Sequence, residues 1–369
     1  MSLDCKFVSE CGSCTLNLPY TEQIEFKKEY IEREFKDFYA GEFEFFASEP
    51  ICYRSRAEFG IYHDKDKISY SMRGKNQKFV MIDECLKVDS KIVVLMPPLL
   101  RYIETNRNLR DKIFGIEFIS TKDELLVVLL YHKDISNLKS EFDGMAQEFG
   151  IFVIARSRGK KLITGSENLK ERLNILQREY KFILGDGAFI QPNRAVNEKM
   201  IGWAKDCVKD SRDMLEMYCG HGNFTIPMAD KFNKILATEI SKKSIENALK
   251  NCELNGVDNI KFIRLSADEL MQAFAGVREF NRLKEINLSE FNFSHILVDP
   301  PRAGLESSVI NFIKNYENII YISCNPTTLK ENLKELSKSH KVSKFAIFDQ
   351  FANTTHIECG VLLRSKNDN

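Results

Sequence analysis

The sequence contains no apolar run that approaches the roughly 20 residues needed to span a membrane. Its first residues, "MSLDCKFVSE", lack the basic segment and apolar stretch that are typical of a secretory signal. These two absences predict a cytoplasmic protein with no membrane association. Net charge is also absent, because Lys plus Arg and Asp plus Glu both number 53. This balance neither supports nor excludes a nucleic-acid partner, since acidic residues elsewhere can offset a basic face.

Internal repeats and low-complexity segments are absent as well, and a length of 369 residues is typical of two or three domains. Between about Tyr53 and Ile163, alternating runs such as "AEFGIYHDKDKISYSMRG" predict hairpins of an antiparallel sheet. After Gly185, short apolar strands alternate with helical patterns, which indicates a mostly parallel, doubly wound sheet. We therefore predict an α/β protein with an N-terminal antiparallel-sheet (α+β) domain at residues 1–180 and a Rossmann-like C-terminal domain at residues 181–369.

A glycine pair opens the C-terminal half. "LEMYCGHGNFT" runs from a strand into Gly220-x-Gly222 and then a helical pattern, which allows a tight turn close to a ligand. Glu239 ends the next strand, where a carboxylate can accept from ribose hydroxyl groups. The third glycine expected for a pyrophosphate is missing, so S-adenosylmethionine is the candidate cofactor. A plain strand–helix turn is the alternative.

Two later strands end in residues that suit methyl transfer. Asp299, in "VDPPRAGL", and Cys324, in "YISCNPTTL", both lie at the ligand-binding edge expected of such a sheet. A thiolate that adds to carbon 6 of a uracil makes carbon 5 nucleophilic toward a methyl donor. A base must then remove the proton on carbon 5, and Glu358 in "FANTTHIECG" is the candidate. The alternatives are a core cysteine and a solvated glutamate.

The C-terminal half resembles the uracil-5 RNA methyltransferases, especially their tRNA branch. The shared motifs include "FIQPNRAVNEKM", "YCGHGNFT", "VDPPRAGL", "YISCNPTTL" and "FDQFANTTHIECGVLL", which together span most of residues 189–363. The resemblance implies methylation of the tRNA T-loop uridine at position 54, with Cys324 as nucleophile and Glu358 as base. It also implies that the methyl-donor pocket contains Gln191, Tyr218, Asn223, Glu239 and Asp299.

Several points stay open at this level. Transfer-messenger RNA is a further possible substrate, and no obligate protein partner is predicted. The alternatives are a 23S ribosomal-RNA methyltransferase of the same family and a non-catalytic RNA-binding protein that has kept the fold.

Ten cysteines in a cytoplasmic chain are not expected to form disulfides. Cys5, Cys11 and Cys14 follow the spacing C-x5-C-x2-C, and Cys85 offers a fourth thiolate. The pattern resembles the [4Fe-4S] motif of the ribosomal-RNA branch, whereas the familiar tRNA enzymes lack a cluster. The resemblance therefore implies a [4Fe-4S] cluster with a structural or RNA-docking role. Zinc and unliganded thiols are the alternatives.

Basic and aromatic residues alternate in the N-terminal half. "YRSRAEFGIY" contains Arg54 and Arg56, and "RNLRDKIF" ends in Phe114. Arginines for phosphates and rings for stacking are typical of an RNA-binding surface, and a uridine in a folded loop must be swung out before a thiol can reach it. Arg302, after the two prolines, is a candidate for an RNA phosphate or the flipped base. For each cluster a solvated charged surface is the alternative.

Overall fold

The computed structural model describes residues 3–366. Within that range the helices are α1 (Tyr20–Phe35), α2 (Ser90–Thr105), α3 (Arg107–Arg110), α4 (Lys139–Phe149), α5 (Arg194–Asp206), α6 (Thr225–Met228), α7 (Lys242–Asn255), α8 (Ala267–Phe274), α9 (Ser307–Ile313) and α10 (Pro326–Leu336). The strands are β1 (Phe43–Phe46), β2 (Arg56–Asp64), β3 (Lys67–Arg73), β4 (Phe79–Ile82), β5 (Ile113–Ser120), β6 (Leu125–Tyr131), β7 (Phe152–Ser157), β8 (Lys160–Thr164), β9 (Asn168–Ile175), β10 (Arg178–Gly185), β11 (Asp213–Met217), β12 (Ile235–Glu239), β13 (Ile260–Arg264), β14 (Phe293–Val298), β15 (Asn318–Ser323), β16 (His340–Phe348) and β17 (Glu358–Ser365). No helix of the described range combines the length and apolar character needed to cross a membrane.

The C-terminal half forms an eight-stranded sheet in the order β1-β16-β17-β15-β14-β11-β12-β13. The five neighbouring strands β15, β14, β11, β12 and β13 pair in parallel, and β17 runs antiparallel to β15 and β16. Helices cover both faces: α5 and α7 contribute to one apolar core, and α1, α8, α9 and α10 to the other. The predicted α/β fold with a doubly wound, Rossmann-like domain is confirmed.

The N-terminal half contains a seven-stranded sheet in the order β4-β3-β2-β5-β6-β7-β8. It is antiparallel except for the β6–β7 pair, whose strands are joined by the crossover helix α4. Helices α2 and α4 pack on the sheet through buried apolar residues that include Ile92, Leu99 and Phe142. The sheet therefore has its own core.

The segment before this sheet packs on the C-terminal half. Strand β1 pairs in parallel with β16, with Phe43 opposite Phe345. The ring of Phe35, at the end of α1, lies 4.9 Å from the ring of Phe345. Strand β1 therefore extends the C-terminal sheet and α1 packs against it, although both precede the N-terminal sheet along the chain.

Candidate active site

The carboxyl ends of the parallel strands meet at one edge of the C-terminal sheet. Tyr218 follows β11, Glu239 ends β12, Asp299 follows β14 and Cys324 follows β15. Strand β17 runs the other way, so it begins at this edge, and its first residue is Glu358. Because Ser323 pairs with Cys359, the strand pair places Cys324 beside Glu358.

These residues line one large cavity of about 1110 Å³ between the two sheets. A cavity of this size is at the upper end of the range for small-molecule sites. The lining includes every residue that the sequence assigned to the methyl-donor pocket or to catalysis: Gln191, Tyr218, Gly220, Asn223, Glu239, Asp299, Cys324 and Glu358. Arg54, Arg56 and Arg302 line it as well. The cavity thus joins the predicted donor turn to the predicted nucleophile.

The glycine turn has the backbone that its sequence predicts. Gly222 has a φ of 90°, which favours glycine, and a Cβ atom there would also require the end of the Ile226 side chain, 2.9 Å away, to move. The carboxylate of Glu239 accepts hydrogen bonds from the backbone N–H of Gly220 at 3.2 Å and of Ser241 at 2.8 Å. These contacts orient Glu239 toward the turn and fix it at the cavity wall.

Three carboxyl groups at this edge have raised pKa values. Burial raises the pKa of Asp299 to about 7. Burial and the charge of Asp299 raise the pKa of Glu216 to about 8. Burial, followed by the charge of Asp299, raises the pKa of Glu358 well above its usual range, although Arg302 acts in the opposite direction. Strongly shifted groups in a cleft are typical of functional sites.

The Cys324 thiol is half-buried. Burial, and then the charges of Glu358 and Asp299, raise its pKa to about 11, whereas Arg302 lowers it. The free thiol is therefore mostly protonated near neutral pH. Asn325 donates a hydrogen bond from Nδ2 to the Arg302 carbonyl oxygen at 3.0 Å, which fixes the backbone that carries this cation.

Sequence reasoning missed Glu216 and the pair Lys27–Asp349. Glu216 lines the cavity and is 1% exposed, and its Oε2 has no hydrogen-bond partner among residues 3–366. An acid inside the apolar run "MLEMY" was the available signal. Lys27 Nζ lies 2.6 Å from Asp349 Oδ1, and both side chains are fully buried. A lysine on the buried face of α1 gave a weak signal, because its partner is more than 300 residues away.

The predicted RNA-binding residues separate into two places. Arg54 and Arg56 line the cavity, and Arg56 Nε also lies 2.5 Å from Glu117 Oε1. Phe114 does not line the cavity; it is 40% exposed and stacks on His132 with ring centroids 3.9 Å apart.

The four N-terminal cysteines approach one another. Burial raises the pKa of Cys14 to about 11, and Cys85, Cys11 and Cys5 add to the increase while Lys87 opposes it. Such mutual effects require the thiols to be near one another. However, no group of three or more His, Cys, Asp or Glu side chains between residues 3 and 366 is arranged to hold a metal ion. The predicted cluster stays a prediction.

Comparison with known proteins gives consistent matches. The family model for tRNA (uracil-5-)-methyltransferase matches residues 19–366. A Campylobacter concisus protein named tRNA/tmRNA (uracil-C(5))-methyltransferase is 62% identical, over 99% of this chain and 100% of that one. A Sulfurovum protein of the same name is 46% identical, over 98% and 100% of the two chains. The crystal structure of Pyrococcus abyssi tRNA (uracil-54, C5)-methyltransferase with S-adenosyl-L-homocysteine shares the fold, with a TM-score of 0.74 and 24% identity over 96% of this chain and 86% of that one.

Proposed function

This chain belongs to the tRNA (uracil-5-)-methyltransferase family, and on that premise we propose that it methylates carbon 5 of the T-loop uridine of tRNA, at position 54, with S-adenosylmethionine as donor. The observation that carries the proposal is the placement of Cys324 and Glu358 on the cavity that also contains Glu239 and Asp299. The names of the relatives extend the proposed substrates to transfer-messenger RNA. An enzyme acting on these RNAs is expected in the cytoplasm.

The donor site is suited to a nucleoside that carries a positive charge. Glu239, held by two backbone amides, has the position and chemistry to accept from ribose hydroxyls. The unpaired Oε2 of buried Glu216 offers an acceptor to an ammonium group. Gln191, Tyr218, Gly220, Asn223 and Asp299 complete the proposed pocket. S-adenosylmethionine supplies an electrophilic methyl group when bound.

The thiol of Cys324 makes the uracil reactive. As a thiolate, its sulfur forms a bond to carbon 6 of the flipped base, and the electrons of the carbon 5–carbon 6 double bond move onto the carbon 5–carbon 4–oxygen system as an enolate. Arg302, whose charge lowers the pKa of Cys324, favours the thiolate that this step needs. The enolate electrons at carbon 5 form a bond to the donor methyl group, the methyl–sulfur bond of the donor breaks with S-adenosylhomocysteine as the leaving group, and carbon 5 then carries both methyl and hydrogen.

Glu358 completes the cycle. As a carboxylate it removes the proton from carbon 5, the double bond between carbon 5 and carbon 6 re-forms, and the bond from carbon 6 to sulfur breaks. Its pKa is raised by burial and by the charge of Asp299, and a carboxylate with a raised pKa is a stronger base than an ordinary glutamate. Cys324 then leaves as thiolate and is ready for another turnover.

RNA binding belongs to the other side of the cleft in this proposal. Arg54 and Arg56, at the start of the N-terminal sheet, face the cavity and can meet phosphates of the flipped nucleotide. The exposed ring of Phe114, stacked on His132, offers a platform for an unpaired T-loop base. The division into an RNA-binding part at residues 1–180 and a catalytic part at 181–369 is proposed on this basis, with α1 and β1 packed on the catalytic sheet.

A [4Fe-4S] cluster at Cys5, Cys11, Cys14 and Cys85 is part of the proposal. The three other thiols all raise the pKa of Cys14, and this supports the proposal. Its role would be structural, because methyl transfer involves no electron transfer. Iron and acid-labile sulfide in anaerobically purified protein test it: a ratio near one cluster per chain that is lost in Cys14→Ser supports the cluster, and iron-free protein contradicts it.

Ribosomal RNA is the second candidate substrate, and the cysteine spacing is the observation that favours it. The deciding experiment uses T-arm RNA with 5-fluorouracil at the target position, incubated with protein and S-adenosylmethionine and run on a denaturing gel. Fluorine on carbon 5 cannot leave as a proton, so the covalent complex should persist. We expect a shifted band that is absent for Cys324→Ala. A band with 23S ribosomal-RNA fragments and not with T-arm RNA would assign the enzyme to the ribosomal substrate, and no band with either RNA would contradict the mechanism.

A further inference from the structure

A second cavity, of about 310 Å³, lies next to the active site. Phe26 and Tyr30 of α1 form one wall, and the start of α10 and the loop before β17 form the others. Neither the glycine turn nor Glu239 contributes to it. Cys324, Arg302 and His356 line both cavities, so the two meet at the nucleophile. The mechanism above does not use this second cavity.

The chemistry of the cavity is typical of a site for a single nucleotide. The ring of Phe26 is 43% exposed, and it lines the cavity together with the ring of Tyr30. The guanidinium of Arg33 lies 5.5 Å from the centre of the Tyr30 ring and 3.4 Å from the carboxylate of Glu34. Glu34, which follows Arg33 on α1, is paired with Lys330 at 2.9 Å. Exposed rings next to arginines are what unstacked bases and their phosphates require.

Continuity of the RNA chain identifies the occupant. A uridine whose carbon 6 reaches Cys324 stays joined through its sugar and phosphates to the neighbouring nucleotides. Because Arg302 and Cys324 line both cavities, the strand leaving the first cavity on that side meets the second one. Its volume is at the lower end for ligand sites and suits one nucleotide better than two.

We propose that this second cavity binds the nucleotide adjacent to the target uridine, with its base against Phe26 and Tyr30 and its phosphate at Arg302. The inference rests on the proposed function and adds a positioning element to it. A base held on α1 prevents the flipped uridine from returning to the T-loop stack, so it raises the fraction of bound RNA that is aligned with Cys324.

Cross-linking on the wild-type protein tests the contact. T-arm RNA carries 5-fluorouracil at the target position, which traps the covalent complex, and 5-bromouridine at one flanking position at a time. Irradiation followed by peptide mapping should give a cross-link to Phe26 or Tyr30 from one of the two adjacent positions. If the covalent complex forms and the cross-links map elsewhere, this inference is overturned and the proposed function stands. If no covalent complex forms although RNA is bound, the proposed function itself fails.

Substitution at Phe26 tests the contribution to binding. Phe26→Ala should raise KM for T-arm RNA about tenfold or more, as expected for loss of one base–aromatic stack, with a much smaller change in kcat. Phe26→Tyr, which keeps the ring, should restore KM. Phe79→Ala is the matched control, because Phe79 is 60% exposed on β4 and lines neither cavity. A KM for Phe26→Ala equal to that of wild type would overturn the proposal.

Discussion

Asp349 and Glu358 stand at the two ends of one loop between β16 and β17, and their surroundings differ. Asp349 lies 2.6 Å from the ammonium group of Lys27, and its other oxygen accepts a hydrogen bond from the Tyr20 hydroxyl at 2.8 Å. Glu358 has the carboxyl of Asp299 as a neighbour, and this charge and burial both raise its pKa. One carboxylate is paired with a buried cation, and the other has no cation of its own and has a raised pKa.

The difference separates a structural task from a chemical one. Lys27 also donates to the carbonyl oxygen of Phe351 at 3.1 Å, and Gln23 exchanges hydrogen bonds with Asn353 at 2.8 and 3.0 Å. Helix α1 therefore holds the loop that leads into Glu358. The buried Lys27–Asp349 ion pair fixes the backbone of the loop. Glu358 can therefore keep its position although no cation neutralises its charge, which suits a group that transfers a proton.

The largest expected effect comes from removing the base. Glu358→Gln keeps the shape of the side chain but cannot accept the proton on carbon 5, so turnover should fall by about 10²- to 10⁴-fold. The thioether from Cys324 to the methylated base should then accumulate on ordinary T-arm RNA, which a denaturing gel detects. Glu331→Gln, on the exposed side of α10, is the control and should leave the rate unchanged. Full turnover, or slow turnover without an adduct, would contradict the assignment.

Substitutions in the buried Lys27–Asp349 pair should lower the stability of the protein. Lys27→Met leaves Asp349 buried without its cation, so the free energy of unfolding should fall by about 3–5 kcal/mol. The double variant Lys27→Met/Asp349→Leu should regain most of this loss, because apolar residues can replace a buried ion pair at little cost. Urea denaturation measures both, with Lys36→Met at an exposed position as the control. Equal midpoints for Lys27→Met and Lys36→Met would show that the buried pair does not stabilise the loop.

The two regions also differ in how far sequence predicts them. Glu239, Asp299 and Cys324 follow strands within recognisable motifs, and a parallel sheet brings strand ends to one edge, so their proximity could be inferred. The packing of α1 and β1 could not, because Phe43 pairs with Phe345 across about 300 residues and no local pattern encodes that contact. The partner of Lys27 and the second cavity depend on this packing. The raised pKa values also could not be predicted from the sequence, since burial in the folded state causes them.

The pH dependence of methyl transfer should reflect the protonation of Cys324 and Glu358. Cys324, with a pKa of about 11, and Glu358, with a raised pKa, both act in their deprotonated forms. The value of kcat/KM should therefore rise with pH through neutrality, by about tenfold per pH unit for each group that is still mostly protonated. Arg302→Gln should move the rise to higher pH, because the Arg302 charge lowers the pKa of Cys324. A flat or falling profile would contradict this interpretation.

Glu216 should change the pH dependence of stability. Its pKa is 4.5 without perturbation and about 8 in the folded protein, so the folded state binds more protons than the unfolded state between these values. The contribution of this group to stability is therefore complete below about pH 4.5 and is lost as the pH rises toward about 8. Glu216→Gln removes the titration, so the free energy of unfolding should decrease less steeply between about pH 5 and about pH 8 than in wild type. Asp299 still titrates in the variant, so the slope should be reduced rather than abolished; identical slopes would show that Glu216 is charged in the folded protein.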